Sequence, residues 1–403
     1  QIAAGEKMAI PCSSQPEQGY IKSGLIPKGT HRFPYAQTKQ VKEHNMTNYD
    51  ITINQARVMD PESRLDQLKN VGISQGKIAM ISDSPLNGEQ VIDAPGQILC
   101  PGFIDLHCHP QDTQIFEVQA LDGVTTTLEL EVGTSDIEHF YSKWENQSPI
   151  NFGASIGHIP VRMKVMNDPG VFLPSGDAGR KLASNPEIVE MQHLIREGLE
   201  KGALAVGFGL DYTRGASRWE VIQMFKVAAE FAASCHVHLR GKGHLEPSNA
   251  IEALEEVIAA AAVTGAPLHV VHLNSTGMRA VPQLLDMISG ANQSGLDVTT
   301  ECYPYTAGMT KIESALFDDG WQENYGIDYE QLMRPDTGEY LTAKTFSEYR
   351  ESGGWIITFS TPEESMKAAV KSPLTMIATD SIIENGKGHP RTAGSYTKVL
   401  GEH

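Results

Sequence analysis

From Pro101 onward the chain repeats one pattern: a short β-type run, a loop, then in many cases a helical stretch. The candidate strands are 103–107, 124–131, 150–155, 203–208, 235–239, 268–272, 297–302 and 375–379. Strands that alternate with helices pair in parallel, since each crossover returns the chain in the same direction. Eight of them point to an α/β fold, a (β/α)₈ TIM-like barrel, in which chemistry gathers at the C-terminal strand ends. Helix starts support the alternation. Ser217-Arg218-Trp219-Glu220 has the form of a capping box opening a helix through Phe231. Ser248 to Thr264 reads as a second, Ala-rich helix. Thr361-Pro362-Glu363-Glu364 offers an N-cap residue, Pro at the first helical position and acids in the first turn.

The polar residues at the strand ends form an unusual set. His107-Cys108-His109 places two imidazoles on one strand face, at its C-terminal end. Neutral imidazole is the commonest metal ligand in proteins. A bare H-x-H is a short pattern and by itself is more often two unrelated histidines. The second strand ends in Glu129 and Glu131, which share a face; Glu131 is nearer the mouth and is the preferred ligand, with Glu129 the alternative. On the fifth strand His236 and His238 share a face, with His238 nearer the mouth. On the sixth, His269 and His272 are three apart and so face opposite ways, with His272 at the end. The eighth closes on Asp380. Five of eight strand ends carrying such groups is hard to obtain from structural histidines alone. His158, His236 and His269 read as core or supporting residues, whereas His139, His193 and His244 need no role. The set His107, His109, Glu131, His238, His272 and Asp380 suits metal-assisted hydrolysis by Zn2+, as one ion or as two bridged by Glu131. Asp380 would take the proton from water.

Before the barrel, residues 47–100 show short β-type runs broken by Gly, Asn, Asp and Ser, and read as a small antiparallel sheet domain. Residues 1–46 lack periodicity and read as an extension of little regular structure. The stretch 303–372 is too long for a simple loop and reads as an ordered insertion over the barrel mouth, a lid or a dimer contact. The formal charge of −18, from 32 basic and 50 acidic residues, argues against nucleic acid and anionic membrane as partners. That leaves a small-molecule substrate, with a homo-oligomer open. No run of about 18 apolar residues suggests a transmembrane helix. The five cysteines show no CxxC pair and argue against a disulfide framework. The compartment stays open: cytoplasmic or, if a signal peptide was removed, periplasmic or secreted.

Pro101-Gly102-Phe103-Ile104-Asp105-Leu106-His107-Cys108-His109, with distal His238, His272 and Asp380, resembles the amidohydrolase superfamily. Gly123-Val124-Thr125-Thr126, His272-Leu273 and His389-Pro390-Arg391-Thr392-Ala393-Gly394 are similar to motifs of its D-aminoacylase branch, the N-acyl-D-amino-acid deacylases. The segments 128–133, 150–155 and 299–308 fit N-acyl-D-glutamate deacylases best. The resemblance implies a small β-sandwich beside the barrel, one or two zinc ions, and hydrolysis of the amide of an N-acyl-D-amino acid. It also implies further strands beyond His403, so that the sandwich is expected to be incomplete. Many members hold the metal through a cysteine on the second strand. An ungapped match puts Val132 there, and the neighbouring Glu131 would substitute. Asn274 stands where a basic residue is usual, so the substrate carboxylate needs another partner: Arg391 first, then Tyr303, Tyr305, Arg240, Tyr212 and Arg214. A cyclic-amide hydrolase or β-linked dipeptidase is the alternative enzyme, and a non-catalytic barrel scaffold the alternative from another class. Side chain, acyl group and D or L preference are not legible.

Overall fold

A computed structural model of the chain describes residues 48–243 and 249–403. The expected N-terminal extension, Cys12, His244 and the Ser248 helix start lie outside the described residues. Two compact units divide between Pro101 and Gly102.

In the first unit β1 (Tyr49–Asp60), β2 (Leu65–Ser74), β3 (Lys77–Ser82), β4 (Gly88–Asp93) and β5 (Ile98–Leu99) form one sheet, ordered β3-β2-β1-β4, with β5 also on β1. Alternating residues of β1 are buried, and Ala56, Val58, Val71 and Ala94 form the core. The expectation of an antiparallel sheet needs correction, because β4 and β5 pair with β1 in parallel. The hairpins are the β1–β2 and β2–β3 pairs. The second turns through Gln75 and Gly76, both left-handed, the conformation that matches strand twist in a two-residue turn.

The second unit holds the barrel, and all eight expected strands form. They are β6 (Phe103–Asp105) continued as β7 (Cys108–His109), β8 (Val124–Thr134), β9 (Asn151–Gly157), β10 (Ala205–Gly209), β11 (Ser234–His238), β12 (Leu268–Val270) and β13 (Val298–Cys302). An insertion follows with β14 (Gly308–Lys311), β15 (Leu332–Met333) and β16 (Trp355–Thr358), and then β17 (Thr375–Ile377) continued as β18 (Ser381–Glu384). The parallel sheet runs β17-β13-β12-β11-β10-β9-β8-β6. Its ends meet at the mouth, where β7 pairs in parallel with β18 through Cys108–Ser381 and His109–Ile382. Below, the Tyr396 hydroxyl lies 3.1 Å from the Ile104 carbonyl and 2.9 Å from that of Ile377, across the same seam.

Two helix starts differ from the sequence reading. Ser217 does accept from the Glu220 amide, 3.1 Å, but the Glu220 carboxylate does not return to close a capping box. It is buried 2.8 Å from Arg162 Nε and 2.7 Å from His158 Nε2, and two partners in a dry site outcompete one exposed amide. The helix after Thr361 runs Glu363–Lys371, one place later than expected, with Pro362 in extended backbone as its N-cap. The insertion is ordered: β14, β16 and β15 form an antiparallel sheet, and Phe317, Trp321, Phe346 and Ile356 share an apolar cluster with Val132, Ile159, Leu173 and Tyr212 of the barrel.

Removing one member of a buried ion pair leaves the other charged and dry, at a cost of about 3–5 kcal/mol. Glu220→Ala is therefore expected to lower the unfolding free energy by that order in a denaturant titration. A loss under about 1 kcal/mol would mean that Arg162 is satisfied by its bonds to the Ala178 and Lys181 carbonyls alone.

Candidate metal centre

The second strand reaches the mouth through a bulge. Glu129 pairs with Ala154, but the next partnered residue, Thr134, sits opposite Ile156, so four residues of β8 loop out. Glycines on the neighbouring strands make room for it. A Cβ on Gly157 would stand 1.8 Å from the Val132 carbonyl oxygen, and one on Gly207 2.2 Å from that of Glu131. The bulge turns Glu131 inward between the strand-one and strand-five histidines.

There the side chains meet. His107 Nε2 lies 3.1 Å from His109 Nε2 and 2.9 Å from Glu131 Oε2. His109 Nε2 is 3.2 Å from that oxygen, and Asp380 Oδ1 is 3.5 and 3.4 Å from the two histidine nitrogens. The other Glu131 oxygen lies 2.7 Å from His238 Nδ1 and 3.7 Å from His272 Nε2, with 3.1 Å between those nitrogens. Two ligand groups thus share Glu131: His107, His109 and Asp380 on one side, His238 and His272 on the other. A tetrahedral zinc with bonds of 2.0–2.1 Å has ligand–ligand edges of about 3.3 Å. The separations within the first group scatter closely around that length, and donors of nitrogen and carboxylate oxygen suit the ion. All six residues are buried.

The imidazoles are held from behind by carboxylates. His107 Nδ1 donates to Glu301 at 2.5 Å, and His109 Nδ1 to Glu129 at 2.7 Å. Each bond leaves the Nε2 lone pair facing the centre, the arrangement that orients metal-bound histidine. Glu301 also accepts from His269 Nε2 at 3.1 Å. Burial alone would lower the pKa of His107 and of His109. Asp380, Glu301 and Glu131 outweigh it at His107, and Glu129, Asp380 and Glu131 at His109, so both are raised well above the ordinary value. A field that holds protons so firmly also favours a dication in their place. His272 goes the other way, to about 4, through burial and the neighbouring His238. Against burial, Arg391 and His107 hold the Asp380 carboxyl well below the usual carboxylate range.

The sixth strand departs from its expected period. β12 stops at Val270, and His272 is left-handed at φ +31°, so the backbone turns and both histidines face inward, not opposite ways. Glu301 went unrecognised; the signal was an acid inside the strand run Thr299-Thr300-Glu301-Cys302. The substrate candidates scatter. Arg391 lines the cavity but binds Asp380, with Nη2 2.9 Å from Oδ1 and Nε donating to the Asp380 carbonyl at 2.7 Å. Tyr303 lies under Arg391, 4.7 Å from the guanidinium to the ring centre. Tyr212 lines the cavity and bonds Thr310. Arg240 is drawn to Glu256, Arg214 to Asp211 and Tyr325, and Tyr305 packs on His389; these three do not line the cavity. From the insertion, Met309, Thr310 and Trp355 do line it, as does Lys242 from the loop after β11.

Glu301→Gln should weaken metal binding about 10–100-fold, the usual effect of losing an outer hydrogen-bond partner, without unfolding the barrel. Chelator competition measures the affinity, and unchanged affinity would remove Glu301 from this support.

No protein-family model matches the chain. An N-acyl-D-glutamate deacylase from Alcaligenes xylosoxydans xylosoxydans is 26% identical over 397 residues, covering 88% of this chain and 78% of the relative. A D-aminoacylase from the same organism is 22% identical over 399 residues, with 88% and 79% covered. Among solved structures, an N-acyl-D-glutamate deacylase from Bordetella bronchiseptica, complexed with zinc and a phosphonate inhibitor, superposes with a TM-score of 0.73 at 24% identity, over 88% of this chain and 81% of that one.

Proposed function

We propose that this protein is a zinc-dependent hydrolase of the D-aminoacylase branch of the amidohydrolases. It cleaves the linear amide C–N bond of an N-acyl-D-amino acid, with an N-acyl-D-glutamate as the first substrate to test. The observation that carries the reading is the carboxylate of Glu131 shared between two groups of buried histidines, beside Asp380 at the mouth of a barrel.

His107, His109, Glu131 and Asp380 would hold one zinc ion, and Glu131, His238 and His272 a second. When bound, zinc supplies Lewis acidity, which eases deprotonation of water from 15.7 towards ~7 and draws electrons from the scissile carbonyl. The protein's own part is proton transfer and orientation. Asp380, ionised and held by Arg391, accepts the proton from water and returns it to the leaving nitrogen. The ion pair and the bond to the Asp380 carbonyl fix both ends of that residue. This reading moves Arg391 from substrate carboxylate holder to orienting group. Tyr212, Met309 and Trp355 narrow the cavity around the amide and limit the water that reaches it.

Zinc-loaded protein screened against N-acetyl-D- and N-acetyl-L-amino acids, with a cyclic amide as control, tests the reading. Release of acetate from a D-substrate is the expected result; activity confined to the cyclic amide would replace it. Asp380→Asn should cut kcat about 10²–10⁴-fold while most of the zinc stays bound, since the amide cannot accept a proton. Retained turnover would exclude Asp380 as the base. Arg391→Met should lower kcat on acidic and neutral substrates alike. A rise in KM limited to acidic substrates would instead return Arg391 to carboxylate binding.

A further inference from the structure

Among the described residues, the mouth carries one cation that the reading above leaves without a task. Lys242 stands four residues after His238, at the end of strand five, across the barrel from strand one. It lines the same cavity as His238, His272, Tyr212, Asp380 and Arg391. Other cations nearby are taken. Arg391 is paired with Asp380, Arg214 with Asp211, Arg240 with Glu256 and Lys311 with Glu384. Lys242 has no ion pair among the described residues, and its ammonium sits 5.1 Å from the centre of the Tyr325 ring. Burial pushes its pKa below the usual lysine value, and Arg214 adds to that, against Asp211, Asp380 and Glu131. Asn274 spends its NH₂ on the Tyr303 and Tyr305 carbonyls.

We propose that Lys242 binds a carboxylate of the amino-acid part of the substrate. The proposal rests on the deacylase reading. Every N-acyl amino acid brings at least one carboxylate into a cavity that already holds Glu131 and Asp380, in a protein of net charge −18. That anion needs a cation not yet neutralised, and among the described residues lining the cavity Lys242 meets the requirement. An ammonium suits the task, because its three donors rotate on a flexible stem and can follow a small ligand.

Three substrates decide it on the zinc-loaded protein: N-acetyl-D-glutamate, its α-amide and its side-chain amide. Lys242→Met should raise KM for the diacid at least about 30-fold, with kcat changed much less, as expected for losing a desolvated charge partner. Lys242→Arg should recover much of the loss. If the α-amide is insensitive to Lys242→Met while the side-chain amide is not, Lys242 holds the α-carboxylate; the reverse assigns the side-chain carboxylate. A KM within twofold of wild type on the diacid overturns the proposal, as does an equal loss on all three substrates, which would mark Lys242 as packing against Tyr325. Calorimetric titration with N-acetyl-D-glutamate separates this from the reaction itself. If wild type binds it without hydrolysis and Lys242→Met weakens Kd tenfold or more, the carboxylate site stands and the deacylase reading falls. Wild type that neither hydrolyses nor binds any N-acetyl-D-amino acid overturns both.

Discussion

The carboxylate of Glu131 is the point on which the site turns. It touches His107 and His109 with one oxygen and His238 and His272 with the other, with nitrogens from three strands within reach. A carboxylate buried so deeply is costly unless it is paired and hydrogen-bonded. Here it is surrounded by imidazoles, which hold it ionised, well below its ordinary pKa. Its position is set by backbone. The bulge in β8 fits only because Gly157 and Gly207 carry no Cβ where the Val132 and Glu131 carbonyls pass. The chemistry of the mouth thus depends on two glycines that touch no substrate.

A second layer fixes what the bulge brings in. Glu129 and Glu301 orient the strand-one histidines, and Glu301 links them to His269 and so to the deeper barrel. The seam between strands one and eight is held by its own network. Asp105 accepts from the Thr379 amide at 3.0 Å, and Gln119 reaches the Thr379 hydroxyl at 3.0 Å. Burial pushes the Asp105 carboxyl up to about 6. The seam carries His109 on one edge and Asp380 just before the other, so barrel closure and assembly of the ligand set are one event.

Much of this was legible in the sequence because strand periodicity and parallel topology are local and repetitive. The eight strands fall within a few residues of their expected places, and six polar residues at their ends come together. The illegible parts arise where backbone leaves its regular period. The alternation rule kept His269 and His272 on opposite faces, and the strand ended at Val270, two residues too soon for it. Glu129 and Glu131 looked like alternatives, whereas they take different atoms: Glu131 faces the ring nitrogens at the centre and Glu129 holds His109 from behind through Nδ1. Charge assignments among the arginines were hidden because a guanidinium goes to whichever carboxylate folding brings near: Glu256 for Arg240, Asp211 for Arg214, Asp380 for Arg391. Glu301 hid inside a strand, where a single acid gives no sign of which face it takes.

His272 and Asp380 share a further trait: both have left-handed backbones, φ +31° and +49°, though neither is glycine. Such conformations cost on the order of 1–3 kcal/mol each and persist only where the surroundings enforce them. Selection for stability alone would therefore replace both, Asp380 by asparagine or glycine and His272 by glycine. A library of this barrel sorted for heat resistance would drift toward variants that fold better and have lost their ligands. Durability and chemistry compete for the same two residues, and activity has to be part of any screen that aims to harden this protein.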